Sequence, residues 1–241
     1  MREASGPLWA DRAFLRDIQY ADDRNLAARQ SIYAYCEHKA DLPALVIGSL
    51  DLGGHEVVAD VGCGNGLYLA ELASHGHRAP AAGVDLSPGM LRAACLRAPA
   101  ARLAAGDAAE LPLRDRASDV TLAMHMLYHV PEPTEAVGEL RRVTRPGGTV
   151  EIGLNADDHL SELRALVNAE LGAAGLPARH VVRERITLDE AEVMLAGVFG
   201  SVVRHDLTGH HAHRLAGLHL SLPQARPVDP GIRRIGCPTG E

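Results

Sequence analysis

Aromatic residues are scarce in this sequence, and basic residues do not outnumber acidic ones. Phe, Trp and Tyr make up 3% of the 241 residues, and the formal net charge at pH 7 is −7. Proteins that bind single-stranded nucleic acid stack bases on aromatic side chains, and duplex-binding proteins neutralise phosphates with clustered Lys and Arg. The composition offers neither feature. We therefore expect no nucleic acid partner.

Long apolar runs and paired cysteines are also missing. A membrane-spanning helix needs about 20 apolar residues in succession, and no such run occurs in the chain. The four cysteines are scattered, without the spacing of a zinc knuckle or a disulfide framework. These absences predict a cytoplasmic protein with no membrane anchor, reduced thiols and no bound metal. The length and the 46% hydrophobic content are sufficient for one large domain.

The chain is organised around residues 57–72, which read VVADVGCGNGLYLAEL. Residues 57–61 are a short apolar run with β-branched side chains, typical of a parallel strand that is buried on both faces. The apolar residues from position 67 onward follow a helical spacing. Glycines lie between, and glycine permits backbone angles and a close ligand approach that a Cβ atom would prevent. A strand, a glycine turn and a helix N-terminus in this order predict a nucleotide-binding site.

The spacing of the glycines indicates the kind of nucleotide. A dinucleotide-binding turn reads G-x-G-x-x-G, whereas this turn reads G-x-G-x-G after Asp60. The difference disfavours a NAD-linked oxidoreductase. The stretch resembles motif I of the class I S-adenosylmethionine (SAM) methyltransferases. The resemblance implies an α/β, Rossmann-like, doubly wound fold, with a mostly parallel sheet and helices on both faces, in which Asp60 and the loop backbone face the amino-acid part of SAM.

Two more acidic residues follow the next predicted strands. Asp85 ends the strand at residues 81–85, where a carboxylate can accept two ribose hydroxyls; a helix-capping role is the alternative. Asp107 follows the third strand, and the resemblance implies that it receives the adenine amino group, with Ala108 beside the ring. Ligands of doubly wound sheets bind at the carboxyl ends of the strands. The residues predicted to bind SAM are Asp60, Gly62, Cys63, Gly64, Gly66, Asp85, Leu86, Met90, Asp107, Ala108 and Met124.

Two histidines follow the fourth predicted strand, residues 118–124. The resemblance implies that residues after this strand border the transferred methyl group. Methyl transfer depends mainly on aligning the nucleophile, and a base is needed only when the acceptor carries a proton of high pKa. Histidine titrates in the range that such a base requires. His129 is therefore the first candidate base and His125 the second.

Other roles for these two histidines stay open. Both can pack beneath a cap in a purely structural role. Histidines four residues apart on a helix can also bind zinc, but the Glu and the third ligand of an H-E-x-x-H site are missing here. We therefore predict no metal.

The segment before the first core strand predicts a cap over this site. Residues 1–50 are expected to be mainly helical. Tyr20, Arg29 and Tyr33 are candidates to close over SAM or the acceptor, together with Tyr128, and an ordinary amphipathic surface helix is the alternative.

The predicted SAM-binding core covers residues 51–208, and residues 155–186 form a possible lid insertion within it. Residues 209–241 depart from the family pattern. The only candidate for a seventh strand is the poorly patterned segment at 213–222, and we expect disorder from about residue 223 because the tail has too little apolar content to pack.

These features predict a SAM-dependent methyltransferase that acts on a small-molecule acceptor and can form a homodimer. The resemblance is to enzymes of ubiquinone and menaquinone biosynthesis and of natural-product pathways, which implies a role in secondary metabolism. A hydroxyl acceptor is favoured slightly over nitrogen or carbon, because the histidines offer a base. The alternative is a SAM-binding protein that does not transfer methyl groups.

Overall fold

A computed structural model describes residues 10–31, 41–156, 161–178, 186–209 and 213–221, with side chains up to residue 206. Seven strands in these ranges form one sheet in the order β3-β2-β1-β4-β5-β7-β6. The first five run parallel, and β7 is antiparallel to both of its neighbours. The strands are β1 Val58–Val61, β2 Ala81–Asp85, β3 Arg102–Ala105, β4 Ser118–Met124, β5 Thr144–Asn155, β6 Ser201–Gly209 and β7 His213–Ser221.

Helices precede the sheet and connect its strands. A π-helical turn, Leu15–Gln19, continues the short first helix, and a 3-10 turn, Leu127–His129, follows β4. The α-helices are α1 Arg12–Phe14, α2 Arg24–Ser31, α3 Leu42–Ser49, α4 Leu67–Ser74, α5 Pro88–Arg97, α6 Pro133–Val143, α7 Ser161–Ala173 and α8 Leu188–Ala196.

Both faces of the central strands are covered, which explains the apolar run at the start of the motif. All four residues of β1 are buried. Val58 packs in a cluster with residues of α3, α4 and α5, whereas Ala59 packs in a second cluster with residues of α6 and α8. Because successive strand residues point to opposite faces, helices on both sides require an apolar residue at nearly every position. The predicted doubly wound, mostly parallel fold is confirmed.

The sheet continues beyond residue 208, where the sequence pattern placed the end of the core. β6 runs to Gly209 and pairs along its length with β7, and β7 also pairs with β5. The poorly patterned segment therefore contains the seventh strand, while the domain boundary at 208 stays a prediction. A strand between two neighbours is held by main-chain hydrogen bonds on both edges, so side-chain alternation is a weak guide to it. Residues from 222 onward, predicted to be disordered, lie outside the described residues.

The predicted lid insertion is described in part. Helix α7 occupies its centre, and none of the residues of this helix is buried. Residues 157–160 and 179–185 lie outside the described ranges. A lid role for this insertion stays a prediction.

The cysteines correct one expectation. Cys63 is a free, buried thiol, but Cys95 is disulfide-bonded, so the prediction of reduced thiols throughout is wrong for Cys95. A disulfide depends on the geometry of the folded chain and not on local spacing, so the scattered cysteines gave no indication of it. Among the described residues, no helix has the length and apolar character needed to cross a membrane.

Candidate cofactor and acceptor site

The glycine turn between β1 and α4 requires glycine at two positions for different reasons. Gly62 has a φ of 71°, and a Cβ atom there would lie 2.6 Å from the Cβ of Met126. Gly66 is the N-cap of α4 with a φ of 77°, and a Cβ atom there would lie 2.9 Å from the Cα of Ala94. Left-handed backbone is unfavourable for residues with a Cβ atom. Glycine is therefore required at both positions, because the turn packs closely against Met126 and Ala94.

Asp60 lies in β1 just before this turn, in an environment that disfavours its charge. Its side chain is 1% exposed, and its Oδ2 atom has no hydrogen-bond partner among the described residues. Burial, and to a smaller extent the nearby carboxylate of Asp85, raise the pKa of Asp60 to about 8. A buried carboxylate oxygen without a partner is costly, so this position suits a cationic ligand group.

Asp85 joins the glycine turn to the end of β2. Its Oδ2 accepts a hydrogen bond from the backbone N–H of Gly64 at 2.8 Å, and its Oδ1 accepts one from the N–H of Ser87 at 2.8 Å. Burial raises the pKa of Asp85, and these two N–H groups oppose the shift. The N-cap of α5 is Ser87, whose Oγ accepts the N–H groups of Gly89 and Met90. Asp85 is therefore not the helix cap, and each of its oxygens keeps a lone pair for a hydroxyl donor.

Asp107 lies two residues beyond β3 and is already engaged. Its Oδ1 accepts the backbone N–H of Ala109 at 2.9 Å. Its Oδ2 is 2.6 Å from the Nε atom of Arg12 in an ion pair. The sequence pattern provided no sign of this arginine, because the two residues are distant in the chain. The predicted adenine-binding carboxylate thus faces the N-terminal segment.

His129 belongs to a cluster of polar aromatic groups beyond the end of β4. Its Nε2 atom is 2.9 Å from the hydroxyl oxygen of Tyr20. The ring of Tyr128 meets the His129 ring edge-on, with centroids 4.7 Å apart. The guanidinium carbon of Arg29 lies 5.1 Å from the centroid of the Tyr20 ring, within the range of a cation–π interaction. The structure therefore brings together four residues that the sequence analysis assigned to the acceptor side.

His125 is placed differently from His129. It has a left-handed backbone with a φ of 57°, and its Nδ1 atom is buried without a hydrogen-bond partner among the described residues. Burial lowers the pKa of His125 to about 4, and the side chain of Asn155 opposes the decrease. An imidazole that holds its proton so weakly is neutral at physiological pH and a poor acceptor of protons.

Several of the residues predicted to bind SAM lie in the core. Cys63 packs beneath the glycine turn, where burial raises its pKa well above the usual value. Met90 and Met124 are buried, with 1% and 7% exposure. Ala108 is partly buried against the cluster that contains residues of α6 and α8. Leu86 is partly exposed directly after Asp85. Tyr33 lies outside the described residues.

The residues that the sequence analysis missed come mostly from residues 10–31, which we call the N-terminal strap. Ser87 Oγ donates to the carbonyl oxygen of Tyr20 at 2.6 Å, and Asn65 Nδ2 donates to Gln30 Oε1 at 3.3 Å. Gly89 lacks a side chain where the backbone of Ala21 passes against α5. These contacts join segments far apart in the chain, and a local pattern does not reveal them.

The donor set suits the cofactor that the sequence resemblance implies. Asp60 offers an unpartnered buried oxygen beside the glycine turn, and Asp85 offers acceptors at the end of β2. A doubly wound sheet binds ligands at this carboxyl edge. Within the described ranges, no three His, Cys, Asp or Glu side chains are grouped to hold a metal ion.

Comparison with known proteins identifies relatives of this chain. A family model described as "Methyltransferase domain" matches residues 59–152. An uncharacterised methyltransferase of Mycobacterium bovis is 31% identical over 186 residues, which cover 77% of this chain and 70% of that protein. The malonyl-[acyl-carrier protein] O-methyltransferase of Serratia marcescens is 36% identical over 108 residues, or 45% of this chain. This second match spans 42% of the length of the S. marcescens protein.

A solved structure agrees with the fold. The N-methyltransferase NodS from Bradyrhizobium japonicum, in complex with S-adenosyl-l-homocysteine, superimposes with a TM-score of 0.58 at 17% sequence identity. The superposition covers 79% of this chain and 90% of NodS. At this identity the likeness concerns the fold alone.

Proposed function

Because the chain belongs to the class I SAM-dependent methyltransferases, we propose that it transfers a methyl group from SAM to a hydroxyl oxygen of a small-molecule acceptor. One observation supports SAM binding above the others: the buried, unpartnered Oδ2 of Asp60 beside the glycine turn. This oxygen matches the ammonium group of an amino acid. The relative from S. marcescens, an O-methyltransferase by name, supports oxygen as the acceptor atom.

Three carboxylates would hold the cofactor at different points. Asp60 receives the ammonium group, Asp85 receives the ribose hydroxyls, and Asp107 receives the amino group of the base. SAM, when bound, supplies an electrophilic methyl group on a sulfonium. The protein's task is then to align the acceptor oxygen with that methyl group and to exclude water.

Removal of the proton from the acceptor hydroxyl is assigned to Tyr20 and His129. The 2.9 Å hydrogen bond between Tyr20 Oη and His129 Nε2 supports this role, because the phenol can pass its proton to the imidazole as it takes one from the acceptor hydroxyl. The acceptor oxygen keeps the electron pair of its O–H bond and forms the new bond to carbon, while the C–S bond breaks. His125 is not assigned this role because its pKa is about 4.

Binding of S-adenosylhomocysteine (SAH) tests the cofactor assignment. We expect isothermal titration calorimetry to show SAH binding to the wild-type chain. In Asp85→Asn the affinity should fall about 10- to 100-fold, the range for lost hydrogen bonds to a charged group. Asp115→Asn is the matched control, since Asp115 is an exposed residue paired with Arg142. No SAH binding by the folded wild type, or NAD binding in its place, would refute the proposal.

Methyl transfer itself is tested with radiolabelled SAM and a panel of phenols and aliphatic alcohols, scored by labelled product. We expect turnover on at least one hydroxyl acceptor, with kcat reduced in His129→Phe. Since the proposed base matters less for an acidic acceptor, the loss should be smaller for nitrophenols than for unsubstituted phenols. Product labelled only on nitrogen or carbon acceptors would contradict the choice of oxygen.

A further inference from the structure

The ion pair between Arg12 and Asp107 lies on the carboxylate that the proposed function assigns to the cofactor's base. Arg12 Nε is 2.6 Å from Asp107 Oδ2, while Asp107 Oδ1 accepts the N–H of Ala109 in its own loop. Oδ2 is therefore the oxygen that the loop leaves open. Arg12, from the N-terminal strap, occupies it.

Arg12 is held in this position by its own segment. Asp11 caps α1 by accepting the N–H groups of Ala13 and Phe14, and Leu15, in the next turn, is 5% exposed. The start of the strap is thus anchored in the protein, and Arg12 reaches Asp107 from a defined turn of helix. The ion pair is therefore made by an arginine whose backbone is fixed by a capped helix.

The same strap contacts the other parts of the cleft. Its Tyr20 receives a hydrogen bond from Ser87 through the main-chain carbonyl and bonds His129 through the hydroxyl. Its Gln30 accepts a hydrogen bond from Asn65 in the glycine turn. A displacement of Arg12 from Asp107 therefore moves a segment that also positions Tyr20 beside His129.

We propose that Arg12 and the amino group of adenine compete for Asp107 Oδ2, so that the strap opposes cofactor entry until Arg12 is displaced. This inference rests on the proposed function, because it takes the ligand to carry an adenine base. The adenine amino group is a hydrogen-bond donor directed at the same oxygen, and two donors on one carboxylate oxygen weaken each other because both draw on the same negative charge. The strap thereby links occupation of the base site to the placement of Tyr20 beside His129.

Substitution of Arg12 by methionine tests the competition, because methionine keeps an aliphatic stem and has no donor. We expect Arg12→Met to bind SAH about two- to five-fold more tightly than the wild type by calorimetry, the range for an ion pair between partly exposed side chains. The difference should narrow as the salt concentration rises from about 0.05 to 0.5 M, because salt screens the pair. SAH suits this salt series because its amino acid part is a zwitterion without net charge, so salt acts mainly on the Arg12–Asp107 ion pair.

Two controls make the test specific. Arg16→Met removes another arginine of the strap, whose partner is Asp17, and should leave SAH affinity unchanged. The 6-deamino analogue of SAH, which has purine in place of adenine, lacks the competing amino group and should bind wild type and Arg12→Met equally.

The outcomes separate this proposal from the proposed function. Equal or weaker SAH binding by Arg12→Met, with SAH bound by the wild type, overturns the competition and leaves the methyltransferase assignment in place. An equal gain for the deamino analogue also overturns it. Failure of the wild type and Arg12→Met alike to bind SAH, with both folded by circular dichroism, overturns both proposals.

Discussion

Tyr20 and His129 are 109 positions apart in the chain, yet Tyr20 Oη and His129 Nε2 lie 2.9 Å apart. The contact joins the N-terminal strap to the turn after β4, and it places a phenol and an imidazole at the carboxyl edge of the sheet. Their rings also meet edge-on, with centroids 5.6 Å apart. The pair therefore contributes a tertiary contact as well as the proton acceptor of the proposed reaction.

A double-mutant cycle should detect this hydrogen bond in the free energy of unfolding. Tyr20→Phe and His129→Phe each keep a ring and remove one partner. We expect a coupling energy of about 0.5–1.5 kcal/mol from urea unfolding of the two single variants and the double variant. Arg29→Met is the comparison, because Arg29 lies over the Tyr20 ring and not at its hydroxyl; its coupling to His129 should stay under about 0.5 kcal/mol. A Tyr20–His129 coupling no larger than that would contradict the contact.

Asp60→Asn should stabilise the free protein and weaken cofactor binding. The native pKa of Asp60 is about 8, above the value of about 4 in an unfolded chain, so the native state binds more protons and the wild type loses stability as pH rises from about 4 to 8. The variant has no charge to bury. We expect its advantage in unfolding free energy to be near zero at pH 4 and on the order of 5 kcal/mol at pH 8.

Calorimetry of the same variant tests the ligand side of Asp60. An ammonium group placed against Asp60 favours the carboxylate, so SAH binding to the wild type at pH 7 should release protons. The release is measured as a dependence of the binding enthalpy on the ionisation enthalpy of the buffer. In Asp60→Asn we expect about tenfold or greater loss of affinity and less proton release. Equal release by both proteins would show that Asp60 does not meet the ammonium group.

Alanine at two glycines should have opposite effects on stability. Gly62→Ala places a Cβ atom on a residue with a φ of 71° and against Met126, so we expect a loss of about 1–3 kcal/mol and weaker SAH binding. Gly138 lies inside α6 with open space around it, and Gly138→Ala should stabilise by about 0.5–1 kcal/mol without changing SAH affinity. Thermal unfolding and SAH titration measure both. A stabilising Gly62→Ala would contradict the described turn.

Features set by neighbouring residues were predictable from sequence, and contacts across the chain were not. The apolar run of β1 depends on residues within a few positions, and the strand occurs as predicted. By contrast, Arg12, the ion-pair partner of Asp107, lies 95 positions earlier in the chain. Arg12 is the partner because of the path that the strap takes over the sheet, and a local sequence pattern does not predict that path.

Strand β7 is a second element that the sequence pattern alone does not identify clearly. Its sequence lacks a clear apolar alternation, but the edges of β5 and β6 offer backbone partners on both sides. The hydrogen bonds of a sheet are made by the main chain, which every residue except proline supplies in full. A strand specified in this way is recognised only when its neighbours are known.

The pKa of His125 predicts a loss of stability in acid. Its native pKa of about 4 lies below the value of about 6.5 for an unfolded histidine. Between these values the unfolded chain takes up a proton that the native state does not, so this histidine destabilises the fold as pH falls from about 6.5 to 4. The wild type should lose about 2 kcal/mol from this group by pH 4.5.

His125→Asn isolates that contribution, because asparagine tolerates the left-handed backbone at this position, where φ is 57°. Urea unfolding at pH 7 and pH 4.5 should show a smaller acid loss in His125→Asn than in the wild type, while His55→Asn, at an exposed loop histidine, should keep the wild-type loss. NMR of the imidazole protons should show no titration of His125 between pH 5.5 and 8. A titration midpoint near 6.5 would show that His125 is solvated, and would return it to candidacy as the base beside His129.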